Sequence, residues 1–310
     1  MIKMILGGKI MKKRILSTVL IFTMAFAMTA CGSKNAGNKV TITVDELQTK
    51  MTEAIKTVDS VEFGLDAKFG MDMEASGESV EMDMDFTTEG QATVDTPAAH
   101  VKFSGSMKYG SETDSMDNKT KGEVYVLTEN EDISLYYNMD DSGWYTGTAN
   151  TEEIMSEIES ALSMYGMDME SILSSATTEA AIAPVLSKKT VEAEGKECYE
   201  LVMKVDKEFV DKELESAGAE LDEEVMAEVD EAMKGLKTLD GEIKIYVDVD
   251  TNLPVKVSYG LKLEMDLEMY DTTMKLNMDE FDITLTADYN EVKAIEVPSD
   301  VKESAVSFDE

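Results

Sequence analysis

The spacing of hydrophobic positions changes from helix-like to strand-like near residue 58. Between Val44 and Val58, Leu47, Met51 and Ala54 recur at intervals of three or four residues. This spacing puts them on one face of an amphipathic helix. The sequence therefore predicts that the regular structure begins with a helix over residues 44–58.

Downstream of this helix, apolar and polar residues alternate, which is typical of strands with one apolar face. Val61 to Met73 and Val80 to Phe86 form the first two alternating segments, separated by a Ser-Gly turn that predicts a hairpin. Further strands are predicted at Val101–Lys108, Glu123–Leu127, Ile133–Tyr137, Trp144–Gly147, Ser187–Ala193, Cys198–Val205, Ile243–Val249, Val255–Met269 and Met274–Asp288.

Several of these strands are much longer than the usual five or six residues. Such lengths predict an α+β fold in which a curved antiparallel β-sheet, a half-open barrel, has helices packed on one face. Two more amphipathic helices are predicted at Thr151–Tyr165 and at Val210–Leu236. The order of helices and strands also suggests a weak internal duplication into two similar halves.

The N-terminus has the three parts of an export signal. Lys12, Lys13 and Arg14 precede an apolar stretch, Ile15–Ala27, that is shorter than the roughly 20 residues of a membrane-spanning helix. The segment that follows resembles the lipobox of bacterial lipoproteins and consists of Met28, Thr29, Ala30 and Cys31. That resemblance implies cleavage before Cys31 and attachment of a diacylglyceryl group to its thiol.

These features predict four segments. Residues 1–30 are the signal peptide, with translation expected to start at Met11, and residues 31–42 are the lipidated cysteine and a flexible tether. Residues 43–300 form a single β-rich domain, and residues 301–310 an acidic tail. We expect the protein at the extracytoplasmic face of the cell membrane, held by two acyl chains. The second cysteine, Cys198, is expected to be a buried thiol without a partner.

The charge excludes one class of partner. The chain has 64 acidic and 28 basic residues, and five of the basic residues lie within the first 30 positions. Nucleic-acid binding needs a basic face to neutralise phosphates, so we expect none here. The acidic strand positions are most simply solvated outer faces that keep the domain away from anionic lipids.

The sequence contains few residues in the arrangements that catalysis or metal binding requires. His100 is the only histidine and is expected in a loop or at a strand edge, with no serine or cysteine motif around it. Asp248–Asn252 begins like a calcium loop, but Leu253 stands where that loop requires glycine, so a hairpin turn is favoured. Copper binding by clustered methionines is a minor alternative, because accompanying His and Cys are scarce. We therefore expect no enzyme activity, no cofactor and no metal.

The layout resembles the LolA-like group of bacterial lipoproteins, which includes lipoprotein carriers and lipid-binding lipoproteins of the LppX and LprG type. The resemblance is carried by the lipobox at Cys31, the first helix before long Met-rich strands, Gly143-Trp144-Tyr145, and the run from Ile245 to Lys256. It implies a half-open barrel with a helical lid around an apolar cavity that takes acyl chains.

The leading hypothesis is a non-enzymatic lipoprotein that binds a lipid or a lipidated molecule between sheet and helices. The candidate cavity residues are the inward positions of the long strands, namely Phe63, Leu65, Phe69, Met71, Met82, Met84, Phe86, Leu261, Leu263, Met265, Leu267 and Met269. The alternative is an interaction module of the cell envelope, with a filled core and a protein partner of unknown identity. Methionine suits both, because its soft side chain fills ordinary cores and also lines adaptable pockets.

Overall fold

A computed structural model describes residues 38–75, 78–111, 115–129, 132–150, 184–211, 233–269 and 272–307. The helices are α1 (Val44–Ile55) and α2 (Ser299–Ser304). The strands are β1 (Ser60–Ala75), β2 (Glu78–Thr93), β3 (Ala98–Ser111), β4 (Ser115–Glu129), β5 (Asp132–Met139), β6 (Tyr145–Asn150), β7 (Val185–Leu186), β8 (Val191–Ala193), β9 (Lys196–Asp206), β10 (Leu236–Asp248), β11 (Pro254–Met269), β12 (Thr272–Tyr289) and β13 (Val306–Ser307).

All of these strands belong to one sheet. Its order is β13-β6-β5-β4-β3-β2-β1-β12-β11-β10-β9-β7, and β8 pairs with β9 beside this path. Every pairing is antiparallel except the short one between β13 and β6. The two meanders, β1–β6 and β9–β12, are joined where β1 pairs with β12. The predicted fold class is confirmed: the chain forms a large, curved, unclosed antiparallel sheet with few helices.

The register divides the sheet into two chemically different faces. Residues directly opposite each other on paired strands point to the same side. Phe63 lies opposite Gly90 and Ala287, and Ala67 lies opposite Phe86 and Ile283. The next residue on each strand belongs to the other side, where charged and hydroxyl side chains predominate. We call the two sides the apolar face and the polar face.

Helix α1 begins with a capping box. The Thr43 side chain accepts a hydrogen bond from the Glu46 amide at 3.2 Å, and the Glu46 carboxylate accepts one from the Thr43 amide at 2.9 Å. These bonds hold the pKa of Glu46 below its ordinary value. Leu47 and Met51 then point into the sheet and are buried, as the helical spacing predicts.

The main core lies between α1 and the apolar face of the C-terminal strands. Leu47, Leu201, Ile245 and Val247 are its most buried members, with at most 2% of each residue exposed. The rest of this cluster comprises Met51, Met203, Val205, Ile243 and Val257. This core fixes α1 on β9–β11.

The short helix α2 packs on the opposite side of the sheet. After β12 the chain runs across the polar face, where Val297 and Val301 are buried against Tyr125 of β4. Beyond α2, the Val306 amide donates to the carbonyl of Trp144 at 2.9 Å, which places β13 beside β6. The described helices are therefore divided between the two faces, with the longer one on the apolar face.

Four details differ from the sequence expectations. The segment from Ser115 to Gly122, not predicted as a strand, is the first half of β4, because it pairs residue by residue with the extended β3. Leu236, predicted as the end of a helix, starts β10 opposite Met265. His100 lies inside β3 between two paired strands, and not in a loop or at an edge. The expected acidic tail begins within α2, where Val301 is buried.

Two hairpin turns join the C-terminal strands. Glu194 and Gly195 both have left-handed backbone angles, with φ of 50° and 71°, as a two-residue hairpin between β8 and β9 requires. Asp248 organises the β10–β11 hairpin by accepting hydrogen bonds from the Asp250 amide and the Thr251 hydroxyl at 3.0 and 2.8 Å. The hairpin interpretation of this acidic run is confirmed.

Several predictions lie outside the described residues. They are the signal peptide, the lipobox with Cys31, the helix predicted at Thr151–Tyr165 and most of the helix predicted at Val210–Leu236. Among the described residues, no helix is long and apolar enough to span a membrane.

Candidate functional site

The side chains of eleven of the twelve candidate cavity residues, all except Met269, are described, and the register places these eleven on the apolar face. Phe69 lies opposite Met84 and Phe281, and Met71 lies opposite Met82. On the other side of β12, Leu263, Met265 and Leu267 oppose Met278, Leu276 and Met274, and the backbone of Met269 opposes Thr272. The alternation in the sequence therefore identified one continuous face that crosses several strands.

This face is covered unevenly. On β9–β11 it carries the buried core under α1, and we call this part the covered half. On β1–β4 its side chains are half-buried or exposed, except for Val61 and Ala92, which are buried against Ala287. We call this part the open half. The exposed fractions there reach 39% for Met84, 38% for Phe86, 38% for Tyr109 and 47% for Met116.

Aromatic rings link the two halves through β12. Phe281 meets Phe69 of β1 edge-to-face, with 6.0 Å between ring centroids, and meets Tyr259 of β11 in the same manner at 5.3 Å. Such edge-to-face contacts add to the energy of burial alone. The middle of the apolar face is therefore held by side chains of three neighbouring strands.

Within the open half, two phenylalanines lie over glycines of the next strand. The Phe63 ring occupies the space that a Cβ at Gly90 would need, and the Phe103 ring does the same at Gly122. Phe103 also packs near Phe86, with 6.1 Å between ring centroids. These rings cover the backbone of β2 and β4 where no helix among the described residues does so.

The polar face contains three grooves that the sequence analysis did not predict. The first, of about 430 Å³, lies between β2 and β5 and includes Lys102, Lys121 and Glu123. The other two, of about 740 and 650 Å³, share Thr87 with it. Of the twelve candidate residues, Phe63 alone appears in these linings, and its ring lies on the opposite side over Gly90. Acidic side chains are so frequent in the sequence that their positions gave no signal for a groove.

Glu123 is the centre of a hydrogen-bonded group on this polar face. One of its oxygens lies 2.8 Å from His100 Nε2 and accepts a hydrogen bond from the Tyr125 hydroxyl at 3.1 Å. Lys102 Nζ lies 3.4 Å from the same oxygen. Burial acts to raise the pKa of Glu123, but the bonds from His100 and Tyr125 and the charge of Lys102 outweigh it, so the pKa is lowered.

His100 and Tyr125 also stack on each other. Their ring centroids are 4.1 Å apart and the planes differ by 3°. Burial first, and then the charge of Glu123, raise the pKa of Tyr125 to about 12. Tyr125 is therefore a neutral hydrogen-bond donor to Glu123, and it also packs against α2. These contacts give His100, Glu123 and Tyr125 a structural role.

Cys198 is buried and free, as predicted. Burial first, and then the charge of Asp248, raise the pKa of its thiol to about 11. A thiol with a raised pKa and no exposed surface is a poor nucleophile.

Comparisons with known proteins give a family and distant structural similarities. Residues 43–306 match the model of DUF6612, described as a family of unknown function. Curated proteins include no match. Solved structures with similarity include a DUF1329 family protein from Desulfovibrio piger, with 10% identity, a TM-score of 0.19, and coverage of 80% of this chain and 92% of that chain.

Two further structures are similar at the same level. A beta-barrel-like protein of domain of unknown function DUF1849 from Brucella abortus has 10% identity and a TM-score of 0.17, over 73% of this chain and 99% of the other. The translocator domain of the autotransporter NalP from Neisseria meningitidis has 8% identity and a TM-score of 0.20, over 78% of this chain and 95% of the other.

Proposed function

The chain belongs to the DUF6612 family, whose function is unknown, and from its own surface we propose that it is a lipid-anchored extracytoplasmic protein that binds an apolar ligand. The ligand is a lipid or the acyl part of a lipidated molecule. It lies on the open half of the apolar face, and the protein catalyses no reaction on it.

The exposure of the open half carries this proposal. Met84, Phe86, Tyr109 and Met116 all lie on the same side of three neighbouring strands and are each more than a third exposed. Soluble proteins rarely leave contiguous apolar surface uncovered unless it binds something. Methionine supports an apolar ligand of variable shape, because its side chain is flexible and polarizable.

The predicted anchor favours lipid as the occupant. Seven peptide steps separate Cys31 from Asn38, the first described residue, and seven residues span at most about 25 Å when fully extended. A sheet held that close to a membrane has lipids within reach at all times. The acidic polar face is repelled by anionic headgroups, which favours presenting the apolar face to the bilayer.

The energetics predict weak, exchangeable binding. Complete burial of a 14-carbon chain contributes about 10 kcal/mol, at about 0.8 kcal/mol per methylene. A sheet face covers only one side of such a chain, so about half of that figure is available before ordering costs. Binding of this strength allows a ligand to be taken up and released.

The test uses the full-length chain in bacterial membranes supplied with a photoreactive fatty acid. After illumination, the label carried by the purified protein is measured by mass spectrometry. The variant Met82→Gln/Met84→Gln places two amides on the apolar face, and Asp83→Asn/Asp85→Asn changes the alternating positions of the same strand. We expect the first variant to lose at least threefold in labelling and the second to stay within twofold of wild type.

Either of two results would overturn the proposal. Equal labelling of both variants would show that the apolar face is not where lipid binds. An unlabelled wild-type chain that is instead crosslinked to another protein would favour an interaction module of the envelope.

A further inference from the structure

The methionines of the open half face each other across strands. Met71 of β1 lies directly opposite Met82 of β2, and Met84 of β2 lies directly opposite Met107 of β3. All four are on the apolar face, and the two facing pairs occupy neighbouring positions along β2. The sequence alone could not reveal this arrangement, because it depends on the register of three strands.

Sheet geometry brings these four thioethers within reach of one another. Directly opposite residues have Cβ atoms about 4.5–5.5 Å apart, and residues two apart on one strand are separated by about 7 Å. Methionine has three rotatable bonds with which its sulfur can cover such distances. Met71 also lies at the irregularity where β1 and β12 change register between Gly70 and Asp72. A bulge of this kind bends the strand and re-aims side chains.

Clustered thioethers have a specific chemistry. Sulfur from methionine is a soft, neutral ligand that selects soft cations such as Cu(I), and it binds without releasing a proton. Met84 is 39% exposed, so an ion in solution can reach the cluster. Carboxylates alternate with these methionines along the strands, at Asp72, Glu81, Asp83 and Asp85, and their negative potential favours a bound monovalent cation.

We propose that the open half contains a site for Cu(I) formed by the thioethers of Met71, Met82 and Met84, with Met107 as a fourth ligand. The absence of nearby His and Cys, which argues against copper when the sequence is read alone, does not weigh against an all-thioether site. The site is separate from lipid binding in its chemistry, since leucine serves an acyl chain as well as methionine does.

The C-terminal strands provide a matched control on the same face. Met265 and Met274 lie opposite Leu276 and Leu267, and Met203 of β9 lies opposite Ile243. Met278 is kept in this control, because it lies beside Met71 where β1 and β12 change register. Three thioethers can therefore be removed there without breaking any directly facing methionine pair. If Cu(I) binding depended only on the number of methionines, removing either group would weaken it equally. The proposed site predicts that only removal of the open-half methionines weakens it.

The experiment measures Cu(I) retention by the full-length chain, purified in detergent and kept anaerobic with ascorbate, against the chelator bathocuproine disulfonate. We expect the wild-type chain to retain one Cu(I). We expect Met71→Leu/Met82→Leu/Met84→Leu to weaken retention at least tenfold, and Met203→Leu/Met265→Leu/Met274→Leu to stay within twofold. Cys198→Ala is expected to retain Cu(I) as wild type does, since that thiol is buried.

A second measurement needs no variant. In the wild-type chain labelled with ¹³C at the methionine methyl groups, one equivalent of Cu(I) should shift the resonances of Met71, Met82 and Met84 and leave those of Met265 and Met274 in place. Failure to retain Cu(I), equal losses in the two triple variants, or shifts spread over all methionines would overturn the proposal. Because the leucine variants keep the face apolar, photolabelling by fatty acid should persist in them, so this site and lipid binding are tested independently.

Discussion

The covered and open halves of the apolar face share one sheet and one alternating pattern, but they are stabilised differently. The covered half on β9–β11 is sealed by α1, and Leu47, Leu201 and Ile245 are almost completely buried there. The open half on β1–β4 leaves Met84 and Met116 more than a third exposed. The same alternating pattern therefore produces a buried core under α1 and an accessible surface where α1 does not reach.

The largest effect expected from this comparison comes from truncating Leu47. It has no exposed surface, so Leu47→Ala should lower the free energy of unfolding by about 3 kcal/mol, from lost transfer energy and the cavity left behind. Met84→Ala should cost less than about 1 kcal/mol, because much of that side chain is already in water. Urea unfolding of both variants measures the difference, and similar losses would mean that the open half is as well packed as the covered half.

The sequence was informative about which residues share a face and uninformative about what covers them. Alternation from Phe63 to Met71 and from Leu261 to Leu267 identified the apolar side of two strands far apart in the chain, and the β1–β12 pairing joins them. The pairing of Met71 with Met82 depends on the exact register of β1 and β2. The sequence predicted a hairpin there but did not fix that register.

The grooves of the polar face were not predictable for a different reason. Ser104 and Lys121 carry no distinctive spacing in the sequence, and they meet only because β3 and β4 pair over more than a dozen residues. The path of α2 was missed as well. Val301 stands in the segment predicted as an acidic tail, and it is buried because Tyr125 provides an apolar surface for it.

The next largest effect should come from Gly122, which lies under the Phe103 ring in the open half. A Cβ there would overlap that ring and crowd Met139, so Gly122→Ala should destabilise the chain by about 2 kcal/mol through forced movement of packed groups. Gly70→Ala is the control, because its Cβ would meet only ordinary contacts at 3.5 Å and beyond. Equal unfolding free energies for these two variants would show that the aromatic rings do not pack tightly over the open half.

A smaller effect is expected where α2 packs on the polar face. Val301 is 5% exposed, and Val301→Ala removes two methyl carbons from the contact with Tyr125, which predicts a loss of about 1.5 kcal/mol. Trp144 is the only tryptophan and packs in the same cluster. Its fluorescence should shift to longer wavelength in the variant before global unfolding in urea. A Trp144 signal that changes only with global unfolding would show that α2 and the sheet come apart as one unit.

The smallest predicted effect concerns Glu123, on the opposite side of the sheet from the open half. Its pKa is lowered in the folded protein, so its contribution is present above the unfolded pKa of about 4.3 and is lost as the pH falls through the lower folded value. Glu123→Gln should therefore cost about 1 kcal/mol at pH 7.5 and less at pH 3, because the wild-type carboxyl also takes up a proton as the pH falls through its folded pKa. Urea unfolding at both values measures this, with Glu89→Gln as a control that removes another carboxylate of the same groove. A penalty that is equal at the two pH values would show that the charge of Glu123 does not hold His100 and Tyr125, and that the polar face contributes to stability only through packing.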